Sequence, residues 1–198
     1  GTCNTMGTAS TVTIALEALG MTLPGAASLP AADAEHERAV ARAGRRAVGL
    51  AWEELKPSRL ITRGSFHNAM AAVMACGGST NAPIHLIALA RRAEIALTLD
   101  DFERAAARVP VLVNLMPAGE HLMQDFFQAG GTRALFARIA SLMEGDCLTV
   151  GGTTFAEQNA GAQVLDAEVI RPLDRPVTTM PAMALLRGNL ASRGALIK

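Results

Sequence analysis

Cys3 is the residue whose type and position most favour chemistry in this sequence. It lies in residues 1–11, a stretch of small and hydroxyl-bearing residues that leads into an apolar-periodic helix. The unpaired N–H groups and the positive dipole of a helix N-terminus favour a thiolate, which binds metals and attacks electrophiles. The hydroxyl groups of Thr5 and Thr8 are available to an anionic ligand. From the residues alone, a Ser/Thr-rich helix start with a buried, inert cysteine is an equally good interpretation.

A second candidate site lies at a predicted corner between two helices, around residues 77–78. The helix before the corner, over 66–75, is rich in Ala and Met, which indicates burial. The next helix opens with a hydroxyl-bearing cap and has Pro83 in its first turn. Such a corner gathers hydroxyl and N–H groups that suit a carboxylate or phosphate, although an ordinary helix–Gly–Gly–helix corner is the simpler interpretation. The candidate side-chain contacts are Ser79, Thr80 and Asn81.

The rest of the sequence predicts the elements that must position these residues. Asp33 is predicted to cap a long helix that ends at residues 56–57, before a proline. Short apolar runs at 111–115 and 147–150 predict buried strands of the parallel kind. The expected fold class is therefore α/β, a mainly helical layer on a short buried parallel sheet. Two further helix starts have the spacing of capping boxes, Thr98 with Asp101 and Thr154 with Glu157.

Composition excludes several classes of function. The 198 residues are 50% hydrophobic and carry 18 basic and 18 acidic side chains. No run of Lys and Arg indicates nucleic acid or an anionic membrane surface, and no apolar run reaches membrane-spanning length. Three widely spaced cysteines do not suggest a disulfide framework, and they lack zinc-ligand spacing with the four histidines. We therefore expect a cytoplasmic protein with a small-molecule partner, and neither nucleic acid nor membrane as partner.

Residues 1–11 resemble the cluster-cysteine motif of the dihydroxy-acid and sugar-acid dehydratase family. Residues 68–86 are similar to the second signature of that family, and residues 114–126 resemble its sugar-acid branch. Residues 4–7, Asn-Thr-Met-Gly, stand where the branched-chain enzyme has Gly-Gly-Met-Tyr, which favours the arabinonate- and xylonate-dehydratase-like branch. The family more often has Lys and Ser where Met116 and Ala118 stand, so these two side chains depart from its pattern.

The resemblance implies a hydro-lyase that removes water from a sugar (aldonic) acid and yields a 2-keto-3-deoxy acid. It implies an iron–sulfur cluster, of the 2Fe–2S type in preference to 4Fe–4S, and a Mg²⁺ ion. Of the family's functional groups only Cys3, as a ligand to cluster iron, is expected in this chain. The other cluster cysteines, the magnesium ligands and a serine base are expected outside it. Cys76 and Cys147 are expected to be structural, and His85, on an apolar helix, is more typical of a satisfied core residue than of a site residue.

The resemblance also implies a division into domains and an oligomeric parent protein, a dimer or tetramer. Residues 1–163 are expected to be part of the N-terminal α/β cluster-binding domain, 164–187 a linker, and 188–198 the start of a C-terminal β-barrel-like domain. The chain is then an internal piece of a longer protein, inactive alone, and residues after Gly161 should pack poorly. Two alternatives stay open: dihydroxy-acid dehydratase of branched-chain amino-acid biosynthesis, and a non-catalytic assembly or binding module.

Overall fold

The computed structural model describes residues 3–198. Over these residues the chain is mainly helical, with two short 3₁₀ turns at Ala26–Ser28 and Ala140–Leu142 and one two-stranded sheet. The α-helices are α1 (Thr8–Ala18), α2 (Ala34–Trp52), α3 (Pro57–Leu60), α4 (Arg63–Ala75), α5 (Asn81–Arg92), α6 (Leu99–Arg108), α7 (Met123–Gln128), α8 (Gly131–Arg138) and α9 (Phe155–Asn159). The strands are β1 (Ala184–Gly188) and β2 (Ala191–Ile197).

Helix α4 lies at the centre of the fold. Its residues from Ser65 onward are buried with few exceptions, and α1, α5, α6 and α8 pack against it. A helix that is apolar on all sides must be surrounded, and its many alanines let neighbouring helices approach closely. The predicted burial of this Ala- and Met-rich helix is confirmed. Helix α1, which follows the Cys3 segment, packs on α4 and so ties the candidate site to the core.

The predicted helix starts are confirmed by their capping hydrogen bonds. The Asp33 carboxylate accepts a hydrogen bond from a first-turn N–H of α2 at 2.8 Å. Thr98 N donates to the Asp101 carboxylate at 2.8 Å, and α6 begins at the next residue. Thr154 N donates to the Glu157 carboxylate at 2.9 Å at the start of α9. Local sequence therefore fixes where these helices begin.

The predicted parallel sheet is not found among the described residues. The run 111–115 is extended and buried, but Val111 and Val113 pair in isolated antiparallel bridges with Thr178 and Ile170. The run 147–150 likewise makes one antiparallel bridge, through Leu148. An apolar run predicts burial but not the partner strand, and the partners of the run 111–115 come from a distant part of the chain. The α/β expectation holds only as a mainly helical fold with a small antiparallel sheet.

Residues after Gly161 do not all pack poorly, and this expectation is wrong in both halves of the predicted linker, where Val169, Ile170, Ala182 and Met183 are buried. Val169 and Ile170 are buried, because their segment runs back across the extended run 111–115. Three backbone hydrogen bonds of 2.8–2.9 Å join the two segments, from Asn114 N, Arg171 N and Val177 N.

Strand β1 begins inside the predicted linker and forms an antiparallel hairpin with β2. Leu185 pairs with Leu196 in its register, and Arg187 forms an ion pair with Asp100 of α6. The hairpin is largely exposed, so it is attached to the helical body rather than part of its core. Its membership of a β-barrel-like domain stays a prediction. Within residues 3–198, none of the helices combines the length and the apolarity that crossing a membrane requires.

Candidate functional site

Cys3 is exposed, which excludes the buried, inert cysteine considered above. Its Sγ lies 3.1 Å from Thr5 Oγ1. Hydrogen bonds from the side chain and backbone of Thr5 lower the pKa of the Cys3 thiol, because they stabilise the thiolate. Helix α1 begins only at Thr8, so the helix terminus is not the cause that we predicted. The predicted direction of the pKa shift is confirmed, and its source is the neighbouring threonine.

The other two cysteines have the opposite environment. Burial raises the pKa of Cys76 to about 12, and its Sγ faces the Val73 carbonyl at 3.5 Å. Burial also raises the pKa of Cys147, which lies near Thr62. Desolvation disfavours the thiolate in both cases, so Cys3 is the thiol whose surroundings best suit a metal ligand.

The second candidate site lies directly against the start of α1. Thr8 Oγ1 and Ser79 Oγ are 3.1 Å apart, and Asn81 Nδ2 donates to Thr8 Oγ1 at 2.9 Å. Ser79 N also donates to Thr11 Oγ1 at 3.0 Å. The structure thus brings Thr8 together with Ser79 and Asn81, which lie about seventy positions further along the chain. Thr80, the residue before α5, makes no side-chain capping bond to that helix.

Glycine at position 78 is what lets the corner reach α1. A Cβ there would lie 2.5 Å from Thr11 Cγ2 and 3.1 Å from the Val73 carbonyl oxygen. Gly77, with φ of +58°, takes the left-handed backbone conformation that turns the chain out of α4. The two glycines therefore explain why the hydroxyl groups of the corner lie beside those of α1.

The segment around Met116 also contacts the Cys3 region, through a backbone hydrogen bond. The sequence patterns did not predict this contact. Met6 N donates to the Met116 carbonyl at 2.8 Å. The two residues are so far apart in sequence that no periodic pattern relates them. The side chains of Met116 and Ala118 are exposed. His85 is also exposed, contrary to the core position expected for it. The residues of α5 that face the core are its neighbours at helical spacing, Ala82, Leu86 and Ala90.

Glu17 is a buried carboxylate at the far end of α1 that the sequence patterns did not reveal. It accepts hydrogen bonds from Gly25 N and Thr132 Oγ1 at 2.7 Å and from Ala27 N at 2.9 Å. Burial raises its pKa, while these three donors and the charge of Arg133 oppose that rise. Glu17 thereby joins α1 to the turn after it and to α8.

The described residues hold no cluster of three or more His, Cys, Asp or Glu side chains able to bind a metal ion. A cofactor at Cys3 would therefore draw its other protein ligands from elsewhere. What Cys3 offers fits such a role as a single ligand: an exposed sulfur, a lowered pKa and a hydroxyl group beside it.

The sequence matches a known protein family over most of its length. Residues 1–158 match the family described as "Dihydroxy-acid/6-phosphogluconate dehydratase N-terminal". The chain belongs to the dihydroxy-acid/6-phosphogluconate dehydratase family.

Individual relatives carry names from both branches of the family. The chain is 48% identical to the 6-deoxy-6-sulfo-D-gluconate dehydratase of Pseudomonas putida, over all of this chain and 35% of that protein. It is 43% identical to the D-xylonate dehydratase of Caulobacter vibrioides, over 96% of this chain and 32% of that protein. It is also 43% identical to the dihydroxy-acid dehydratase of a Nocardioides species, over all of this chain and 36% of the relative. The chain thus spans about a third of the length of these relatives.

Proposed function

We propose that this chain is part of an aldonic-acid dehydratase and that Cys3 is its ligand to an iron–sulfur cluster. The observation that carries the proposal is the exposed Cys3 thiol, whose pKa is lowered by its bonds to Thr5. Its place within the residues that match the dehydratase family adds support. We further propose a 2Fe–2S cluster and a Mg²⁺ ion whose remaining ligands lie outside these residues.

The cluster, when bound, would supply a Lewis acid for the departing hydroxyl group of the substrate. In this chain, Cys3 would hold the iron through its thiolate, and the Thr5 hydroxyl would donate to the same sulfur and offset its negative charge. The hydroxyl and amide groups of Thr8, Ser79 and Asn81 already form a connected polar cluster beside α1. We propose that substrate hydroxyl groups bind there. The full set of proposed substrate contacts is Thr5, Thr8, Ser79, Thr80 and Asn81.

A sugar acid is the substrate class that we favour. Two of the relatives described above are named for sugar acids, a sulfo-gluconate and a xylonate. Asn4 and Thr5 replace the two glycines of the branched-chain enzyme and add polar groups beside Cys3. The second candidate is a dihydroxy-acid dehydratase, favoured by relatives of that name at 43% identity. A non-catalytic assembly or binding module is the alternative from another class.

A substrate panel tests the proposal. We expect the parent protein to convert D-xylonate, L-arabinonate or a gluconate derivative to a 2-keto-3-deoxy acid, detected as its semicarbazone. The 198 residues alone should give no product, because a single cluster ligand cannot assemble the site. Turnover confined to 2,3-dihydroxy-3-methylbutanoate would favour the second candidate instead. Failure on every substrate, with the cluster fully present, would support the non-catalytic module.

We also propose a cytoplasmic location and a homo-oligomeric parent, a dimer or tetramer. The three cysteines are free thiols, which is usual in a reducing compartment. Helix α2 exposes three large apolar side chains, and a second subunit is one surface able to cover them: Val40, Val48 and Trp52.

A further inference from the structure

Asn4 connects the segment before α1 to the start of α7. Its backbone carbonyl accepts a hydrogen bond from Met123 N at 3.0 Å, and its side-chain Oδ1 accepts one from Gln124 N at 3.0 Å. Both donors are first-turn N–H groups, which have no acceptor within their own helix. Two residues further on, Met6 N donates to the Met116 carbonyl. The segment is thus attached at two points to residues more than a hundred positions away.

The loop that accepts the Met6 bond, and that leads into α7, is closed by hydrogen bonds of its own. The Asn114 carbonyl accepts from His121 N at 3.0 Å, and Asn114 Oδ1 accepts from Glu120 N at 3.2 Å. Gly119 N donates to the Leu115 carbonyl at 2.8 Å. A Cβ at Gly119 would lie only 2.4 Å from Asn114 Oδ1, so the loop is closely packed. It therefore offers a fixed surface on which a neighbouring segment can be held.

Cys3 needs such support because its own hydrogen bond is local. Its partner, Thr5, belongs to the same segment, so their bond moves with the segment and cannot fix it relative to the fold. The long-range bonds are made by Asn4, directly after Cys3, and by Met6. A thiolate ligand binds a metal only if its sulfur is held close to the required position.

We propose that Asn4 is a positioning residue: its side chain, by capping the first turn of α7, sets where the Cys3 sulfur stands. The inference rests on the proposed function, in which Cys3 is a cluster ligand. Asn4 does not touch the cluster in this proposal and acts through Cys3. The acceptor oxygen of Asn4 is the atom that matters, because it is the one bonded to Gln124 N.

Two substitutions in the parent protein separate positioning from general stability. Asn4→Ala removes the acceptor, whereas Asn4→Asp keeps an oxygen at the same place and adds a charge that a helix start favours. Asn68→Ala is the matched control. Asn68 Oδ1 also accepts a hydrogen bond from a backbone N–H, that of Glu144 at 2.6 Å, but it lies in the first half of α4 and is fully buried.

The readouts are the rate at which a chelator removes the visible cluster absorbance and the amide exchange rate of Gln124. We expect Asn4→Ala to lose its cluster about tenfold faster than wild type, as for other residues that orient metal ligands. Gln124 exchange should accelerate in the same variant. Asn4→Asp should restore both rates towards wild type. Asn68→Ala should lower the melting temperature more than Asn4→Ala does and leave the cluster loss rate unchanged.

The possible failures are distinguishable. If Cys3→Ser abolishes the cluster but Asn4→Ala keeps the wild-type loss rate, the positioning role is refuted and the proposed function stands. Equal acceleration in Asn4→Ala and Asn68→Ala would also refute it, since general destabilisation would then account for the effect. If Cys3→Ser retains the cluster, the proposed function is refuted, and the positioning role that rests on it is refuted as well.

Discussion

Replacing Cys3 by Ser in the parent protein is expected to abolish dehydratase activity and the visible absorbance of the cluster together. Serine keeps the size of the side chain but does not form the thiolate that binds iron. The variant should fold normally, because the exposed Cys3 thiol contributes little packing. The measurements are the rate of 2-keto acid formation and the absorption spectrum of the purified variant.

Cys76→Ala and Cys147→Ala are the matched controls for that experiment. Cys76 is buried among the residues of α4, so its replacement should cost about 1 kcal/mol of unfolding free energy for the lost packing. Cys147 is only partly buried and should cost no more than that. Both variants should keep the spectrum and the turnover of wild type. If either of these variants lost the cluster while Cys3→Ser kept it, Cys3 would not be the ligand.

Replacing Glu17 by Ala should produce the largest loss of stability among the polar substitutions considered. Its buried carboxylate is the acceptor for Gly25 N, Ala27 N and Thr132 Oγ1. Without it, Thr132 Oγ1 would lack an acceptor in a buried position, and the two N–H groups would lack one in partly buried positions. We expect a loss of about 3–5 kcal/mol, since each orphaned donor costs about 1–3 kcal/mol before relaxation. Urea unfolding measures this loss of unfolding free energy. The exposed capping residue Glu157 is the control, and Glu157→Ala should cost about 1 kcal/mol or less.

The stability difference between wild type and Glu17→Gln should depend on pH. The unfolded chain releases the Glu17 proton near the ordinary value of 4.5, whereas burial raises the pKa in the folded chain. The folded state therefore binds the proton more tightly. The contribution of Glu17 to the free energy of unfolding falls as the pH rises from the pKa of the unfolded chain through that of the folded chain. Relative to the glutamine variant, wild type should be most stable at the acid end of a urea series. A difference that is constant, or that grows with pH, would contradict the buried environment of Glu17.

Local patterns predicted those parts of the fold that depend on neighbouring residues. Asp33, Thr98 and Thr154 begin helices where their capping spacing indicates, because a cap bonds only to its own first turn. The composition of α4 predicted its central position, since a helix apolar on all sides has to be surrounded. The exposure of His85 was missed because an apolar neighbourhood in sequence does not show which face of α5 is buried.

Contacts between distant segments could not be predicted in this way. The apolar run at 111–115 indicated a buried strand, but its partner is the segment around Ile170, antiparallel and far along the chain. Glu17 looks like an ordinary polar residue of α1 until its three donors are seen.

The candidate site shows the same limit. The Cys3 motif and the corner were each identified from sequence. The bond between Thr8 and Ser79, the bond of Asn4 to the start of α7 and the role of Thr5 in the Cys3 pKa became visible only in the three-dimensional structure.

Iron and acid-labile sulfide analysis of the parent protein, as wild type and as Cys3→Ser, tests the central claim most directly. We predict iron and sulfide in equal amounts per wild-type chain, and neither in the variant at matched purity and with an unchanged circular dichroism spectrum. A wild-type protein without sulfide after anaerobic purification and cluster reconstitution would contradict the claim. So would a Cys3→Ser variant that retains the wild-type content of both.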